Sequence, residues 1–266
     1  MFPKIIHQIW YQGIENMPTQ LKENTKLIQQ KHPNFKYFFW DKQKIDYLIE
    51  KDKNLIATFK KFSHMHQYID FAKYIILFLY GGIYIDMDVT IIKNFDELLN
   101  EYNSYECLLS STYFNTFENI IFCQYKICIN NGIIISKPKC DFLLAIIKQI
   151  ISDPSCKHSD FNKSICINRT TGPLLVTNVY KKYPFKQKIK ILHWSYLEPC
   201  IFKNLCNVES NTVAVHYHDA TWINKNLVNL AYFYFKYKNI AIFIALVLIF
   251  ILFFVIFKFV KYLINK

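Results

Sequence analysis

Glycine and proline are scarce in this sequence, with 5 Gly and 8 Pro among 266 residues. That scarcity excludes a collagen-like chain, and a hydrophobic content of 52% excludes a disordered protein or a polar linker. No internal repeat, low-complexity block or Pro/Gly-rich linker interrupts residues 1–230. The sequence therefore predicts a folded domain over that region.

Arginine is almost absent, because Arg169 is the single exception among 32 basic residues, and the formal net charge is +12. A basic surface favours anionic partners such as nucleotides, nucleic acids or phospholipid headgroups. The lysines are spread along the whole chain, without zinc-finger spacing, an RNA-binding aromatic motif or a concentrated basic helix. We therefore expect no nucleic-acid partner.

The sequence also lacks any Cys-x-x-Cys pair, and its eight cysteines are Cys107, Cys123, Cys128, Cys140, Cys156, Cys166, Cys200 and Cys206. Their closest spacings do not match the usual zinc-ligand patterns. We expect free thiols that act as small apolar residues. A disulfide framework is the alternative if the domain lies in an oxidising lumen.

The two ends of the chain differ in character. Residues 1–10 lack the basic stretch, apolar segment and cleavage site of a signal peptide, so we expect folded-domain sequence from the start. Residues 240–257 form an uncharged run of 18 residues with lysines on both flanks. At about 1.5 Å per residue this run would span about 27 Å, close to the thickness of a bilayer core. It predicts a single C-terminal transmembrane helix, since a buried core helix, the alternative, would normally show a polar face.

These features divide the chain into a catalytic domain (1–230), a juxtamembrane segment (231–239), a transmembrane helix (240–257) and a short basic tail (258–266). Such a tail anchor would bind the bilayer and leave the domain on the cytoplasmic side. The triplets Asn162-Lys163-Ser164 and Asn168-Arg169-Thr170 are glycosylation-type sequences and keep a lumenal location as the alternative.

Apolar runs that alternate with helical periodicity predict an α/β fold. Strands are expected at 4–10, 36–40, 83–85, 107–110, 132–136, 189–192 and 213–217, and helices at 19–31, 65–80, 141–151 and 173–183. This alternation indicates a mostly parallel sheet, whose ligands bind beyond the carboxyl ends of its strands.

The chemistry is concentrated after the helix at 65–80. Gly81 and Gly82 end that helix, and the apolar strand that follows leads directly to Asp86 and Asp88. A carboxylate at such a point is costly to bury without a cation or several hydrogen bonds. Paired carboxylates suit Mg²⁺ or Mn²⁺, and either ion can bridge to a diphosphate.

Two enzyme classes place Asp-x-Asp after a hydrophobic strand. In phosphatases of the haloacid-dehalogenase type the first acid is a nucleophile, and Asp86-Met87-Asp88-Val89-Thr90 fits their pattern. Those enzymes also need a later acidic pair, and Asp141, Asp153 and Asp160 are isolated.

The second class, the glycosyltransferases, is supported by an ordered set of motifs. They are the segment 2–10 (Phe-Pro-Lys-Ile-Ile-His-Gln-Ile-Trp), Asp70-x-x-Lys73-Tyr74, the segment 81–88 (Gly-Gly-Ile-Tyr-Ile-Asp-Met-Asp), Asn131-Gly132 and, more weakly, Thr171-Gly172-Pro173 and 216–222. From Pro3 to Trp222 the chain resembles glycosyltransferase family 32, the group with a sugar-binding DXD motif that includes yeast-type α-mannosyltransferases, inositol-phosphoceramide mannosyltransferases and α-1,4-galactosyltransferases.

The resemblance implies a GT-A-type fold that transfers a hexose from a UDP- or GDP-linked sugar, with retention of configuration and a divalent cation, usually Mn²⁺. The implied metal ligands are Asp86, Asp88, His216 and His218. The implied donor-binding residues are His7, Trp10, Asp70, Lys73, Tyr84, Asp86 and Trp222, with Trp10 stacked on the nucleobase. The implied catalytic residues are Asp70, Asp86 and Asn131. With the expected anchor, a lipid-linked or membrane-glycan acceptor is the expected partner.

One departure from the family pattern is Lys73, where the family commonly has Arg, so the planar bidentate fork is lost. Structural roles are the alternatives for several of these residues: a core position for Trp10, a satisfied strand histidine for His7, simple packing for Tyr84, and a structural pair for His216 and His218. We predict a membrane-anchored glycosyltransferase. The alternatives are a phosphatase with Asp86 as nucleophile and a membrane protein that binds nucleotide-sugars without turnover.

Overall fold

Most apolar runs of the sequence form strands in the computed structural model, which describes residues 1–158, 160, 162–218 and 225–264. The strands are β1 (Ile5–Ile9), β2 (Lys36–Trp40), β3 (Gly82–Ile85), β4 (Val89–Ile91), β5 (Cys107–Ser111), β6 (Ile129–Ser136), β7 (Ile189–Leu192), β8 (Cys200–Phe202), β9 (Leu205–Cys206) and β10 (Ala214–His216). All seven predicted strands are confirmed, with ends that differ by at most three residues from the prediction.

The four predicted helices are also confirmed, and further short helices lie between them. The helices are α1 (Thr19–Lys31), α2 (Lys42–Ile49), α3 (Lys53–Phe59), α4 (Met65–Tyr80), α5 (Asp96–Glu101), α6 (Thr116–Cys123), α7 (Asp141–Ser152), α8 (Lys163–Thr170), α9 (Pro173–Lys182), α10 (Trp194–Leu197) and α11 (Lys225–Ile264). Single 3₁₀ turns lie at Ile14–Asn16 and Lys186–Lys188.

The central sheet has six strands in the order β2-β1-β3-β6-β5-β7. The β1–β2, β1–β3 and β5–β7 pairs are parallel, whereas β6 runs antiparallel to β3 and β5. The expected mostly parallel sheet is confirmed, since five of the six strands run in the same direction. Strand β6 is reversed because the chain leaves β5 through α6 and returns directly alongside it. Beside the sheet, β4 pairs with β10 and β8 pairs with β9, both antiparallel.

Two apolar clusters cover the two faces of the sheet, as the alternation of β3 illustrates. Tyr84 packs with the apolar side chains of α4, α7 and α9 on one face. Ile83 and Ile85 pack with α1, β4 and α5 on the other. A sheet covered on both faces leaves its strand ends as the accessible surface for a ligand.

The turn from α4 into β3 depends on two glycines. Gly81 and Gly82 have φ of 64° and 97°, a region that L side chains rarely adopt. A Cβ on Gly82 would also lie 2.5 Å from the carbonyl oxygen of Ile5. These two residues let β3 pass tightly alongside β1 and fix where it ends.

Six of the eight cysteines form disulfides, which corrects the expectation of free thiols. The pairs are Cys123–Cys128, Cys156–Cys166 and Cys200–Cys206. Cys107 and Cys140 are free and buried, as expected of small apolar residues. The two cysteines of each bonded pair are five to ten residues apart in the sequence, so each disulfide closes a short local loop.

The contacts of the chain divide it into two units, Met1–Trp222 and Ile223–Lys266. The second unit consists of α11, in which Val228–Phe257 is long and apolar enough to cross a membrane. The helix extends through the predicted juxtamembrane segment at 231–239, which is therefore helical. The boundary predicted at residue 230 remains a prediction.

Candidate functional site

Asp86 and Asp88 lie in the short link between β3 and β4. The backbone N–H of Asp86 donates to the carbonyl oxygen of Gly132 over 2.8 Å, which ties the link to β6. The hydroxyl of Tyr84 donates to Oδ1 of Asp86 over 2.7 Å. Tyr84 therefore orients an acid of the Asp-x-Asp motif as well as packing in the core.

His216 reaches this link because β10 pairs with β4, with His216 opposite Val89. Nε2 of His216 lies 3.2 Å from Oδ1 of Asp88. Its other nitrogen, Nδ1, lies 3.0 Å from Oε2 of Glu198. The ring is thus held between two carboxylates by a strand pairing between residues far apart in the sequence.

Glu198 is the main residue of the site that sequence reasoning missed. It is 1% exposed and also contacts Nε2 of His218 at 3.1 Å. It follows α10 as a single acid, and no motif marks it. The sequence therefore gives no signal for Glu198. Its role becomes visible only in the structure, where a buried carboxylate needs charged or hydrogen-bonding partners.

The donor atoms of this cluster suit a divalent cation. Asp86, Asp88 and His216 each offer one ligand atom, and these atoms lie within 4.8 Å of one another. Two carboxylate oxygens and one imidazole nitrogen are ligands that Mn²⁺ accepts, and the carboxylates also suit Mg²⁺. His218 falls instead in a second group with Glu198 and His216.

The charges in this cluster shift the pKa values of its members. Burial raises the pKa of Asp86, and the opposing charges of Lys73 and His216 only partly offset that rise. Burial lowers the pKa of His216, but the attraction of Glu198 and Asp88 outweighs it and holds that pKa well above its ordinary value. The buried acids are therefore balanced by Lys73 and a protonated His216. Because only a deprotonated imidazole nitrogen can ligate a metal, a divalent cation at Asp86 and Asp88 would have to replace the proton on Nε2 of His216.

A second cluster is centred on Asp70 of α4, which is 9% exposed. Its Oδ1 accepts hydrogen bonds from Nζ of Lys73 over 2.7 Å and from Nδ2 of Asn131 over 3.1 Å. Its Oδ2 accepts a hydrogen bond from the hydroxyl of Thr171 over 3.0 Å. Asn131 also donates to the hydroxyl of Tyr74, at 2.8 Å. The motifs at 70–74, 131–132 and 171–173 therefore meet at one carboxylate.

Lys73 links the two clusters electrostatically. Its side chain is buried, and Nζ lies 5.0 Å from the centre of the Tyr84 ring. Burial lowers the pKa of Lys73, but the attraction of Asp70, Asp86 and Asp88 outweighs it and leaves that pKa above its ordinary value. The ammonium group of Lys73 is directed at acids of the protein itself. Its position therefore supports a role in balancing their charge rather than in binding a donor directly.

Gly132 is required for the two clusters to form. A Cβ at this position would lie 2.6 Å from Nδ1 of His216 and 3.1 Å from Oδ2 of Asp86. Only a residue without a side chain leaves room for the imidazole ring between β6 and the acids. The Asn131-Gly132 motif thus supplies a hydrogen-bond donor to Asp70 and space for His216.

The remaining predicted residues are His7, Trp10 and Trp222. His7 is buried beside the start of β3, where Nε2 donates to the carbonyl oxygen of Gly81 and Nδ1 accepts from Nε1 of Trp40. Burial lowers the pKa of His7 to about 4, so the ring is neutral. This favours the alternative of a satisfied strand histidine. Trp222 lies outside the described residues.

Trp10 follows the carboxyl end of β1 and is half-buried. Its indole Nε1 is shielded from solvent and has no hydrogen-bond partner among the residues that the structure describes. Aromatic side chains at such a strand end can stack on a flat ligand. Trp10 therefore stays a candidate for the nucleobase.

Sequence comparisons agree with the geometry. The family model described as "Glycosyltransferase sugar-binding region containing DXD motif" matches residues 18–105. An uncharacterized glycosyltransferase of Acanthamoeba polyphaga mimivirus is 29% identical over 77% of this chain and 76% of its own length. A mannosyl phosphorylinositol ceramide synthase of Saccharomyces cerevisiae is 28% identical over 74% of this chain and 47% of its own. The chain thus spans about half the length of that yeast relative.

The fold has a counterpart among solved structures. The PaToxG glycosyltransferase superposes with a TM-score of 0.51 over 69% of this chain and 70% of its own, at 14% sequence identity. At that identity the likeness concerns the fold alone, which is of the GT-A type as the resemblance implied.

Proposed function

We propose that this chain, a glycosyltransferase with a DXD-containing sugar-binding region, transfers mannose from a nucleotide-sugar to a glycolipid that carries an inositol-phosphate headgroup. The observation that supports it is the cluster of Asp86, Asp88 and His216 beside a second carboxylate centre at Asp70. The yeast relative named above, a mannosyl phosphorylinositol ceramide synthase, supports the choice of mannose and of the acceptor.

The donor's diphosphate would be bound at Asp86, Asp88 and His216, which together would hold Mn²⁺ or Mg²⁺. A divalent cation there neutralises the charge of the diphosphate and of the departing nucleotide. The protein's own contribution is to fix the ligands beforehand: Tyr84 orients Asp86, and Glu198 orients His216. Because these contacts exist before a donor binds, little reorganisation remains to be done during the reaction.

Asp70 would accept hydrogen bonds from hydroxyl groups of the donor. Lys73, Asn131 and Thr171 hold both carboxylate oxygens in position, so the acceptor atoms cannot rotate away. Trp10 would stack on the nucleobase. Asn131 would lie near the transferred sugar, and retention of configuration is the stereochemistry that the family resemblance implies.

The phosphatase alternative is dropped, because the comparisons identify the sugar-binding region of a glycosyltransferase. The Asp86 carboxylate also accepts a hydrogen bond from Tyr84, an arrangement that suits a positioned ligand. A protein that binds the donor without turnover is left as an outcome of the test below.

The folded unit would face an oxidising compartment beside a membrane. Val228–Phe257 would anchor the chain in the bilayer where a glycolipid acceptor resides. Three disulfides within the folded unit are typical of proteins in oxidising surroundings. They favour the lumenal alternative over the cytoplasmic orientation expected from a tail anchor.

The test supplies the full chain, in detergent–lipid micelles with Mn²⁺, with GDP-mannose and separate UDP-hexoses. Inositol phosphoceramide is the acceptor, and ceramide without the headgroup is its control. We expect a mannosylated product of inositol phosphoceramide alone, detected by mass spectrometry. Metal-dependent donor hydrolysis without any glycolipid product would overturn the acceptor, and donor binding without hydrolysis or transfer would overturn the enzyme.

A further inference from the structure

Helix α6 has its polar side facing inward and its apolar side facing outward. Phe117, Ile120 and Ile121 are 67%, 55% and 55% exposed, and their spacing puts them on one face of the helix. Glu118 and Asn119, by contrast, are 1% and 7% exposed. A helix that covers the core of a soluble protein shows the opposite arrangement.

The inverted orientation of α6 is fixed by specific bonds. A capping box joins Asn115 and Glu118 at its start. Oδ1 of Asn119 accepts from the backbone N–H of Cys128 over 3.2 Å, and its Nδ2 donates to the carbonyl oxygen of Lys126 over 3.2 Å. The Cys123–Cys128 disulfide closes the far end. The buried polar side chains and the disulfide together hold the apolar face outward.

Exposed lysines lie near the carboxyl end of α6. Lys126 comes three residues after the helix ends, and the neighbouring end of α9 adds Lys181 and Lys182. Nζ of Lys181 donates to the carbonyl oxygen of Gln124 over 3.3 Å, which fixes the two helix ends next to each other. An exposed apolar helix face with lysines near one end matches the chemistry of an anionic bilayer surface, with acyl chains below and phosphate groups above.

Helix α6 also lies at the edge of the candidate site. It connects the end of β5 to the start of β6, and its Asn119 binds Cys128. Three residues further on, Asn131 contacts Asp70. Anything bound to α6 is therefore close to the carboxylate that we assign to the donor.

We propose that α6 is an interfacial membrane helix: Phe117, Ile120 and Ile121 insert among the acyl chains, while Lys126, Lys181 and Lys182 contact anionic headgroups. The bilayer is the favoured occupant because the spanning segment begins at Val228, ten residues after His218. This docking would hold the site at the surface from which a lipid-linked acceptor enters. The role in acceptor delivery rests on the proposed function, whereas the docking itself does not.

Docking is tested with the full chain in vesicles of phosphatidylcholine with about a third phosphatidylserine. Phe117→Trp is compared with Tyr47→Trp, a control on α2, the helix that follows the edge strand β2; Tyr47 is 69% exposed. Lipids brominated along the acyl chain are expected to quench the indole introduced by Phe117→Trp at least twofold more than that introduced by Tyr47→Trp. Equal quenching of the two variants would overturn the proposal.

Acceptor delivery is tested with the Phe117→Ser/Ile121→Ser double variant, with Tyr47→Ser as its control. We expect at least a tenfold loss of transfer to a vesicle-borne acceptor, with metal-dependent donor hydrolysis unchanged. Unchanged transfer would overturn this role.

Loss of self-association in the double variant, without quenching in the first experiment, would assign the face to a second copy and overturn membrane docking. If the wild-type chain transfers nothing, the proposed function fails, whereas the quenching result still decides docking.

Discussion

At the scale of single residues, the site depends on two buried cationic side chains that balance the charge of its buried acids. Lys73 and His216 are both buried. Lys73 contacts Asp70 one turn earlier on α4, and His216 contacts Asp88 in the link between β3 and β4. Lysine fits the first position because its compact ammonium group meets Asp70 while its charge also acts on Asp86. Compared with the Arg that the family resemblance implies at this position, Lys73 keeps the charge that the buried pair needs and lacks the planar fork.

Gly132→Ala tests whether the space beside His216 is needed. The added Cβ would lie 2.6 Å from Nδ1 of His216, so the imidazole must move away from Asp88. We expect Mn²⁺ affinity, measured by electron paramagnetic resonance titration, to fall at least tenfold. The free energy of unfolding should fall by about 1–3 kcal/mol, as in other overpacked sites.

Ile135→Val on the same strand is the matched control, because Ile135 is fully buried away from the acids. It should cost about 0.5–1.5 kcal/mol of stability and leave Mn²⁺ affinity unaltered. Equal Mn²⁺ affinity in Gly132→Ala and the wild type would remove His216 from the metal site.

At the scale of elements, the site depends on contacts between segments that are distant in sequence. The β4–β10 pairing brings His216 to Asp88, and the turn between α8 and α9 brings Thr171 to Asp70. The segment before α8 is in turn held by Arg169, which binds Asp153 and Asp160, and by the Cys156–Cys166 disulfide. Loosening that segment should therefore disturb Asp70.

The variant Cys156→Ala/Cys166→Ala removes this clip. Opening a loop of about ten residues should lower the free energy of unfolding by about 2–3 kcal/mol. Because α8 leads directly into Thr171, we also expect a severalfold rise in the KM for the donor. Chemical denaturation and donor kinetics measure the two effects.

Leu99→Ala is the comparison, since Leu99 is buried in α5, in the apolar cluster on the sheet face opposite to α4 and its Asp70. A stability loss of about 2–5 kcal/mol is expected there, with the donor KM unchanged. A rise in KM of the same size in both variants would show that general destabilisation, rather than Asp70, is responsible.

The sequence predicted the elements with strong periodicity and failed where long-range contacts decide. Helix α4, the Gly81-Gly82 turn and strand β3 follow from local preferences, and Asp86 and Asp88 follow from their position after that strand. The direction of β6 could not be predicted, because the short apolar run at 133–135 fits either orientation. Glu198 carries no motif, and its role depends on β10 folding back to meet it.

At the scale of the whole molecule, disulfides, basic surface and apolar helix point to one setting. The three disulfides favour an oxidising compartment, the +12 charge favours anionic surfaces and donors, and Val228–Phe257 would span a bilayer. Any glycosylation sequence on the folded unit then becomes a reporter of orientation.

Asn162 is the glycosylation site that the structure favours. It is exposed at the start of α8, where its Oδ1 accepts from the backbone N–H of Ile165, so a glycan would extend into solvent. Asn168 lies within α8, and Thr170 of its triplet is fully buried. In a eukaryotic secretory host we expect one glycan, seen as a gel shift that a peptide N-glycosidase removes.

Asn162→Gln should abolish that shift and Asn168→Gln should leave it intact. A chain without any glycan, whose cysteines all react with a thiol reagent after membrane isolation, would instead locate the folded unit in the cytoplasm.

The central claim is that Asp86, Asp88 and His216 serve a metal-dependent transfer from a nucleotide-sugar. The most direct measurement is nucleotide release by the full chain from UDP- and GDP-sugars, with Mn²⁺ or with chelator, for the wild type and Asp88→Asn. We predict release from one donor that chelator abolishes and that Asp88→Asn reduces at least a hundredfold without loss of the folded circular-dichroism spectrum. Release that persists in chelator, or full activity of Asp88→Asn, would contradict the account.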